Sequence, residues 1–244
     1  MCADRIAREG GDLVLIGSGG FGRETAQAVH ALNEKGAGWH LLGYLDDNPA
    51  RHGQLIDGTV VIGGREQIDQ LPQASFVVCT GRPDDYGSRM RIVRDLGLPP
   101  ERYATLVHPS AAVSSSSTVG PGSVLLAQVT LTAAVTVGAH VAVMPHVTLT
   151  HDDVIDDFAT IASGVCLGGG VRIRTAAYIG AGALLRENLT VGTFSLVGMG
   201  AVVTHDVPAG EIWAGVPARR LRAVQLPAGV RLDDPPVTKD RGET

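Results

Sequence analysis

A six-residue period dominates the second half of the chain. Every sixth residue from Val107 to Val203 is valine, leucine or isoleucine, through 17 consecutive hexads without an insertion. An amphipathic helix repeats about every 3.6 residues and a half-buried strand about every 2, so neither produces this pattern. A fixed period of six predicts a parallel β-helix, in which stacked hexads bury a column of side chains that one hexad could not bury alone. The aliphatic positions are Val107, Val113, Val119, Leu125, Leu131, Val137, Val143, Leu149, Ile155, Ile161, Leu167, Ile173, Ile179, Leu185, Val191, Val197 and Val203.

The remaining positions of the hexad indicate how the coils are built. The fourth residue after the aliphatic is usually small or apolar, and glycine often follows the aliphatic directly. This pattern resembles the hexapeptide signature of left-handed β-helices, in which three hexads form one triangular coil and residues 18 apart stack. The 17 hexads then form about 5.7 coils, each about 4.8 Å high. Asp153 is an exception, because a carboxylate stands where a small residue is expected.

Composition narrows the functional classes. The net charge of −5 and the scattered basic residues argue against nucleic acid as the main partner. The three cysteines have no metal or disulfide spacing, and no signal peptide is evident, so we expect a cytoplasmic protein without a metal.

Residues 103–151 carry no Asp, Glu, Lys or Arg. The six-residue period within 123–147 excludes a membrane helix, so this uncharged surface suggests contact with another subunit or domain.

The first half of the chain has a different pattern. Short apolar runs at 13–16, 41–45 and 76–79 alternate with helical patterns at 22–34 and near 84–96. Strands that alternate with helices predict a parallel sheet. We expect residues 103–107 to lead directly into the first coil.

A glycine-rich segment follows the first predicted strand. The spacing Gly17-x-Gly19-x-x-Gly22 precedes a helix, where backbone N–H groups and a helix N-terminus can approach a phosphate. Asp46 and Asp47 end the next strand, where a ribose hydroxyl could bind. A plain tight turn or a dehydrogenase would give the same spacing, but the domain is short. We therefore favour a nucleotide-linked sugar over NAD.

The two halves together resemble the NeuD/PglD-like sugar acetyltransferases of the sialic-acid and bacillosamine pathways. The resemblance extends to about Arg220 and rests mainly on the segments 16–24, 43–48, 108–109, 151–155, 168–171 and 215–219. It implies an α/β Rossmann-like domain at 1–106 that binds a nucleotide sugar, followed by a left-handed β-helix acyltransferase domain at 107–208. Residues 209–244 would form a C-terminal segment, with a loose tail from 226. Relatives form trimers, so we expect a homotrimer with active sites between subunits.

The same resemblance implies a catalytic His-acid pair at His151 and Asp152. An imidazole with a pKa near neutrality can take the proton from an attacking amine or hydroxyl, and a carboxylate can orient it. Asp153 and Asp156 are competing orienters. In the 18-residue stack, His151 lies beside Gly169, whose missing side chain would leave space for an acyl group and expose an N–H to an oxyanion. The resemblance also puts the oxyanion donor at Gly169, although the glycines could simply form a loose corner.

The resemblance also suggests where the substrates bind. The candidates for the coenzyme, acetyl-CoA, are Thr160, Gly169, Gly180, Ala181, Gly198, Met199, Gly215, Pro217 and Arg219. The candidates for the nucleotide sugar are Gly17, Gly19, Gly20, Phe21, Gly22, Asp46 and Asp47. Some relatives have histidine at the position of Thr160, and serine and histidine at the positions of Gly19 and Phe21.

These features predict an acetyl-CoA-dependent N-acetyltransferase that acts on a nucleotide-linked amino sugar by direct attack. Four alternatives remain open: an O-acetyltransferase of a sugar such as sialic acid, a transferase that uses another acyl donor, a non-catalytic trimer that binds nucleotide sugars, and a γ-class carbonic anhydrase. The last is disfavoured because His146 and His151 have zinc-ligand spacing but the expected third position is Ser110.

Overall fold

The computed structural model of the protein describes residues 10–226 and residue 232. The loose tail expected from residue 226 onwards therefore lies almost entirely outside the described residues. No helix within the described part of the chain is long and apolar enough to cross a bilayer. The uncharged stretch at 123–147 instead forms short strands of the β-helix.

The N-terminal part is a five-stranded sheet with two α-helices, as the alternating pattern predicts. Its strand order is β3-β4-β2-β1-β5. All neighbours are parallel except the antiparallel pair β3 and β4. Sequence reasoning missed β3 and β4. The elements are β1 Gly11–Ile16, α1 Gly20–Glu34, β2 Trp39–Leu45, β3 Leu55–Ile56, β4 Thr59–Gly63, β5 Ser75–Val78 and α2 Ser88–Leu96, with 3-10 helices at Pro49–Arg51, Arg65–Gln70 and Pro100–Arg102.

The second part is a left-handed parallel β-helix, as predicted, and its strands form three sheets. The first sheet contains β6 Leu106–Val107, β9 Val124–Leu125, β12 Ala142–Val143, β15 Thr160–Ile161, β18 Tyr178–Ile179, β21 Leu196–Val197, β23 Glu211–Ala214 and β24 Arg219–Ala223. The second contains β7 Ala112–Val113, β10 Thr130–Leu131, β13 Thr148–Leu149, β16 Cys166–Leu167, β19 Leu184–Leu185 and β22 Val202–Val203. The third contains β8 Thr118–Val119, β11 Thr136–Val137, β14 Val154–Ile155, β17 Arg172–Ile173 and β20 Thr190–Val191.

The stacking register matches the predicted interval. Neighbouring strands pair residues 18 apart, as in the pairing of Thr130 with Thr148. The aliphatic residues from Leu125 to Val203 are buried in one continuous core. Each such side chain contributes about 1.5–3 kcal/mol relative to an exposed one. Val107, Val113 and Val119 are only partly buried, because the first coil has no coil before it.

A second six-residue period appears in the backbone at the corners of the β-helix. The third residue after many of the aliphatics adopts a positive φ, including Gln128, His140 and Asp152. Non-glycine residues enter this left-handed region at a cost of about 1–2 kcal/mol, so it is occupied only where the fold demands it. Here it turns the chain sharply between two sheets. At Asp152 it brings two consecutive side chains together, those of His151 and Asp152.

The two parts pack closely against each other. Two apolar clusters, which include residues on both sides of the N-terminal sheet, continue into the first sheet of the β-helix. One contains Met90 and Val93 of α2 with Phe158 and Phe194. The Tyr86 hydroxyl also donates to the Phe194 carbonyl at 2.8 Å. This packing covers the first sheet and leaves the second and third sheets free of the N-terminal part.

Candidate active site

His151 and Asp152 form a hydrogen-bonded pair at the corner between the second and third sheets. Asp152 has a φ of 62°, which turns the two neighbouring side chains toward each other. The distance between His151 Nδ1 and Asp152 Oδ2 is 2.9 Å. Both side chains are about two-thirds exposed, at 68% and 69%. When Nδ1–H donates to the carboxylate, the lone pair of Nε2 is left free to take a proton.

The imidazole lies directly over Gly169, one coil further along. A Cβ on Gly169 would lie 2.3 Å from both Cε1 and Nε2 of His151, so only glycine fits beneath the ring. The expectation that this gap leaves space for an acyl group is therefore wrong, because the ring itself fills the space. Within the described part of the chain, the Gly169 N–H donates to no acceptor. A free N–H donor thus lies close to the free nitrogen of the imidazole.

The neighbouring acids are engaged elsewhere and do not orient His151. Asp153 is fully buried, and its carboxylate accepts from the N–H of Thr150 at 2.7 Å and of Val171 at 2.8 Å. Burial raises the pKa of Asp153 to about 6, although these N–H groups and His151 partly offset the effect. Asp156 pairs with Arg174 at 3.5 Å. The carboxylate of Asp153, which departs from the repeat, therefore links its own coil to the next one through these two hydrogen bonds.

The raised pKa of Asp153 predicts a pH dependence of stability. The free energy of unfolding should fall as the pH rises from about 4 to about 6, because over this range the unfolded chain ionises while the folded carboxyl resists ionisation. Asp153→Ser should reduce this fall. Ser117 occupies the equivalent position two coils earlier and accepts the Val135 N–H at 3.0 Å, so serine can keep one hydrogen bond. Urea unfolding across this pH range measures the effect, and an equal fall in the variant would contradict it.

A cleft of about 950 Å³ lies between the N-terminal part and the first sheet. Residues 17–21, 46–48 and 79–82 line its N-terminal wall. The wall formed by the β-helix includes Thr160, Ala162, Ser163, Tyr178 and Ala181. His151 does not line this cleft, so one copy of the chain does not bring the predicted base and the cleft together.

The glycine segment forms one end of the cleft, and its glycines have different roles. Gly17 has a φ of 104°, and a Cβ on Gly22 would lie 2.1 Å from the Gly17 carbonyl oxygen, so these two permit the tight turn. Gly22 does not line the cleft. Gly19 and Gly20 have open space where a side chain would stand, and Gly19 caps α1. The first N–H groups of α1, which begin at Gly20, have no partner within the helix and suit an anion.

The two adjacent aspartates also differ in availability. Asp46 accepts from the N–H and hydroxyl of Ser18 and from the N–H of Asn48, and Arg51 lies 3.4 Å away. Burial opposes ionisation of Asp46, but these hydrogen bonds and the charge of Arg51 outweigh it and hold its pKa below the ordinary value. Asp47 pairs with Arg65 at 3.0 Å, and its side chain is 56% exposed. Asp46 therefore holds the loop together, and Asp47 is the more available to a ligand.

Comparisons with known proteins agree with this architecture. The family model for the PglD N-terminal domain matches residues 12–95. The acetyltransferase domain of PglB from Neisseria gonorrhoeae is 32% identical, with a TM-score of 0.76, over 86% of this chain and 99% of that domain. The chain belongs to the PglD/NeuD-like family of sugar acetyltransferases. The resemblance inferred from the sequence motifs is thereby confirmed.

Two further members of the family extend the comparison. PerB from Caulobacter crescentus, whose structure contains CoA and GDP-perosamine, is 25% identical, with a TM-score of 0.73, over 86% of this chain and 97% of that one. The UDP-N-acetylbacillosamine N-acetyltransferase of Bacillus subtilis is 27% identical over 122 residues, which are 48% of this chain. The match spans about half of that relative, at 51% of its length.

The coenzyme candidates suggested by the PglD/NeuD-like resemblance are dispersed, apart from Gly169 at the His151 corner. Thr160 and Ala181 line the cleft. Gly180 and Gly198 are required by close stacking, since a Cβ on either would come within 2.7 Å of the next layer. Met199 is 81% exposed on the same corner as Ala181. The last three candidates lie beyond the final hexad: Gly215 and Pro217 in the turn after β23, and Arg219 at the start of β24.

Sequence reasoning missed several residues of the cleft in this PglD/NeuD-like protein. Ser18 and Arg51 hold Asp46, and Arg89 of α2 lies at the floor of the cleft. One signal for Arg89 was present in the sequence. It lies four residues before Val93 and therefore on the apolar face of the helix, where an arginine is unusual.

Proposed function

We propose that this protein transfers the acetyl group of acetyl-CoA to the amino group of a nucleotide-linked amino sugar. The observation that carries the proposal is the His151 imidazole held against Gly169 by Asp152, with Nε2 free and the Gly169 N–H unpaired. The relatives support the choice of substrates, because the Bacillus subtilis relative is named an N-acetyltransferase, the PglB domain binds acetyl-CoA, and the PerB structure contains CoA and GDP-perosamine.

The chemistry follows from these groups. The acceptor nitrogen attacks the thioester carbonyl carbon, and His151 Nε2 takes the proton that the nitrogen loses. The Gly169 N–H donates to the carbonyl oxygen as it becomes negative. Asp152 stabilises the imidazolium through Nδ1. The carbon–sulfur bond then breaks, and the imidazolium returns the proton to the departing thiolate.

Direct attack, without an acyl-enzyme, fits the positions of the two cysteines in the described part of the chain. Cys166 is exposed on the second sheet, where it pairs with Thr148 and Leu184 rather than with the His151 corner. Cys79 is buried, and burial raises the pKa of its thiol to about 12. Neither thiol combines access with a neighbouring base, which an acyl-accepting cysteine requires.

We further propose that each site forms between two copies of a homotrimer. The second sheet is flanked by two corners, one with His151 and Gly169 and the other with Ser163, Ala181 and Met199. The residues that flank its buried aliphatics are uncharged except Arg186 and include exposed Leu184, whereas the third sheet carries Asp156, Arg172 and Arg174. If three second sheets face a common axis, the His151 corner of one copy meets the Ala181 corner, and thus the cleft, of the next.

A panel of acceptors tests the proposed reaction. Purified protein is incubated with acetyl-CoA and nucleotide sugars that carry either an amine or a hydroxyl at the same carbon, and products are read by mass spectrometry. We expect acetylation of amine acceptors with stoichiometric release of free coenzyme A thiol. Products from the hydroxyl series alone would instead favour the O-acetyltransferase. Absence of product with every acceptor would favour the non-catalytic alternative.

A further inference from the structure

Arg89 occupies an unusual position between the two parts of the chain. It is 1% exposed and is the largest fully buried side chain among the described residues. It extends from α2 toward the first sheet, within an interface otherwise formed by residues such as Met90, Val93 and Phe158. It also lies at the floor of the cleft. A buried charge at this place requires an explanation.

The guanidinium connects both walls of the cleft. On the N-terminal side, Nη1 donates to the Thr80 carbonyl at 2.5 Å. On the β-helix side, Nη2 donates to the Thr160 hydroxyl at 2.8 Å and to the Phe158 carbonyl at 2.9 Å. Nε donates to the His140 carbonyl at 2.7 Å. One planar group therefore fixes the distance between a loop of the N-terminal wall and two consecutive coils of the β-helix.

No carboxylate compensates this charge within the described part of the chain. The acceptors of Arg89 are backbone carbonyls and one hydroxyl, all neutral. Burial lowers the pKa of Arg89 to about 10, which still leaves it protonated at neutral pH. A buried charge without a counter-ion is costly compared with an apolar side chain of similar size. Its retention indicates a role that simple packing would not supply.

We propose that Arg89 is a positioning residue that sets the separation of the two walls of the cleft. The proposal rests on the proposed function and takes the nucleotide sugar to lie in the cleft, with its nucleotide at the glycine segment and its sugar at the β-helix wall. Gly81 adds a geometric reason, since a Cβ there would lie 2.9 Å from Arg89 Nη1 and 3.7 Å from Thr160 Oγ1. The N-terminal loop, the guanidinium and Thr160 thus meet at one point. Movement of Arg89 would therefore change the distance between the glycine segment, where the nucleotide binds, and the β-helix wall, where the sugar binds.

The positioning role predicts that loss of Arg89 weakens binding of the nucleotide sugar but not binding of the nucleoside diphosphate. A nucleoside diphosphate needs only the glycine segment and Asp47 on one wall, whereas a nucleotide sugar needs both walls. Arg89→Lys keeps the charge but cannot reach both sides with a rigid fork. We expect it to raise the KM for the nucleotide amino sugar about tenfold or more and to leave the Kd for the nucleoside diphosphate unchanged. Steady-state kinetics and titration calorimetry measure the two values.

A matched arginine controls for general destabilisation. Arg102 also donates to backbone carbonyls, those of Leu71 and Ala74, but does not line the cleft. Arg102→Lys should lower the thermal midpoint without raising the KM. The positioning role is overturned if Arg89→Lys retains the wild-type KM. It is also overturned if the substitution weakens binding of the nucleoside diphosphate as much as binding of the nucleotide sugar.

A second variant and a second measurement keep the test decisive. If Arg89→Lys does not fold, Thr160→Val removes one anchor of the guanidinium, and we expect the same direction of KM change. Hydrogen exchange provides a readout that needs no turnover. Arg89→Lys should exchange faster at 79–82 and at 158–160 but not in the third sheet. If Arg89→Lys exchanges faster in these segments but the wild-type protein shows no turnover, the acetyl transfer is refuted and the positioning role is kept. If exchange in Arg89→Lys is unchanged, the positioning role is refuted.

Discussion

Replacing His151 with alanine should lower kcat by about two to four orders of magnitude, the usual contribution of a positioned general base. The expected loss follows from the free Nε2, since no other described residue near the Gly169 N–H offers a neutral base. The side chain is 68% exposed, so its removal should scarcely change the thermal midpoint. The affinity for coenzyme A should also remain close to wild type. Steady-state kinetics with a nucleotide amino sugar measure the effect.

His205 provides the matched control for this variant. It lies on the same corner as His151, three coils away, and its Nδ1 contacts the Thr204 hydroxyl at 3.0 Å rather than a carboxylate. His205→Ala should retain wild-type turnover. If His151→Ala turns over at a rate close to wild type, His151 is not the base. The same conclusion follows if both histidine variants lose activity equally.

The substitution Gly169→Ala should lower kcat by about a hundredfold, because misplacement of a catalytic group by about 1 Å is enough for such a loss. The new Cβ would stand 2.3 Å from Cε1 and Nε2, so the imidazole must leave its position. The exposed ring can swing into solvent, and folding should therefore be preserved. The backbone N–H remains in the variant, which separates the displacement of the base from the loss of the oxyanion donor.

A double-mutant cycle shows whether the effect of Gly169→Ala acts through the ring. In a His151→Ala background, Gly169→Ala should have little further effect on kcat, because no imidazole remains to be displaced. Additive losses would mean that the methyl group blocks the substrate directly. Glu187→Ala, at the equivalent corner position one coil further on, should leave kcat unchanged in either background.

The fold could be predicted in detail because the repeat specifies it redundantly. In the coils that have a neighbour on both sides, the burial of an aliphatic residue follows from its place in the hexad, and the 17 repeated positions all predict the same buried column. The 18-residue interval also predicted that His151 would lie beside Gly169. What the interval could not give was the direction of the imidazole, which depends on the left-handed backbone at Asp152 and fills the gap expected for an acyl group.

Other features were not predictable because they depend on contacts between distant segments. The engagement of Asp153 with Thr150 and Val171 reflects the interior of the coil, which a pattern of residue types does not resolve. Arg89 is explained only by carbonyls that belong to different parts of the chain. The separation of His151 from the cleft within one copy follows from which sheet the N-terminal part covers.

Mixing two inactive variants tests most directly whether acetyl transfer takes place where the His151 corner of one copy meets the cleft of another. His151→Ala lacks the base, and Ala181→Trp obstructs the cleft at an exposed position. After subunit exchange, the mixture should recover about a quarter of the wild-type rate, since random assembly unites the two intact halves at that fraction of interfaces. Activity that remains at the level of the separate variants, in mixed trimers verified by native mass spectrometry, would contradict a site shared between copies.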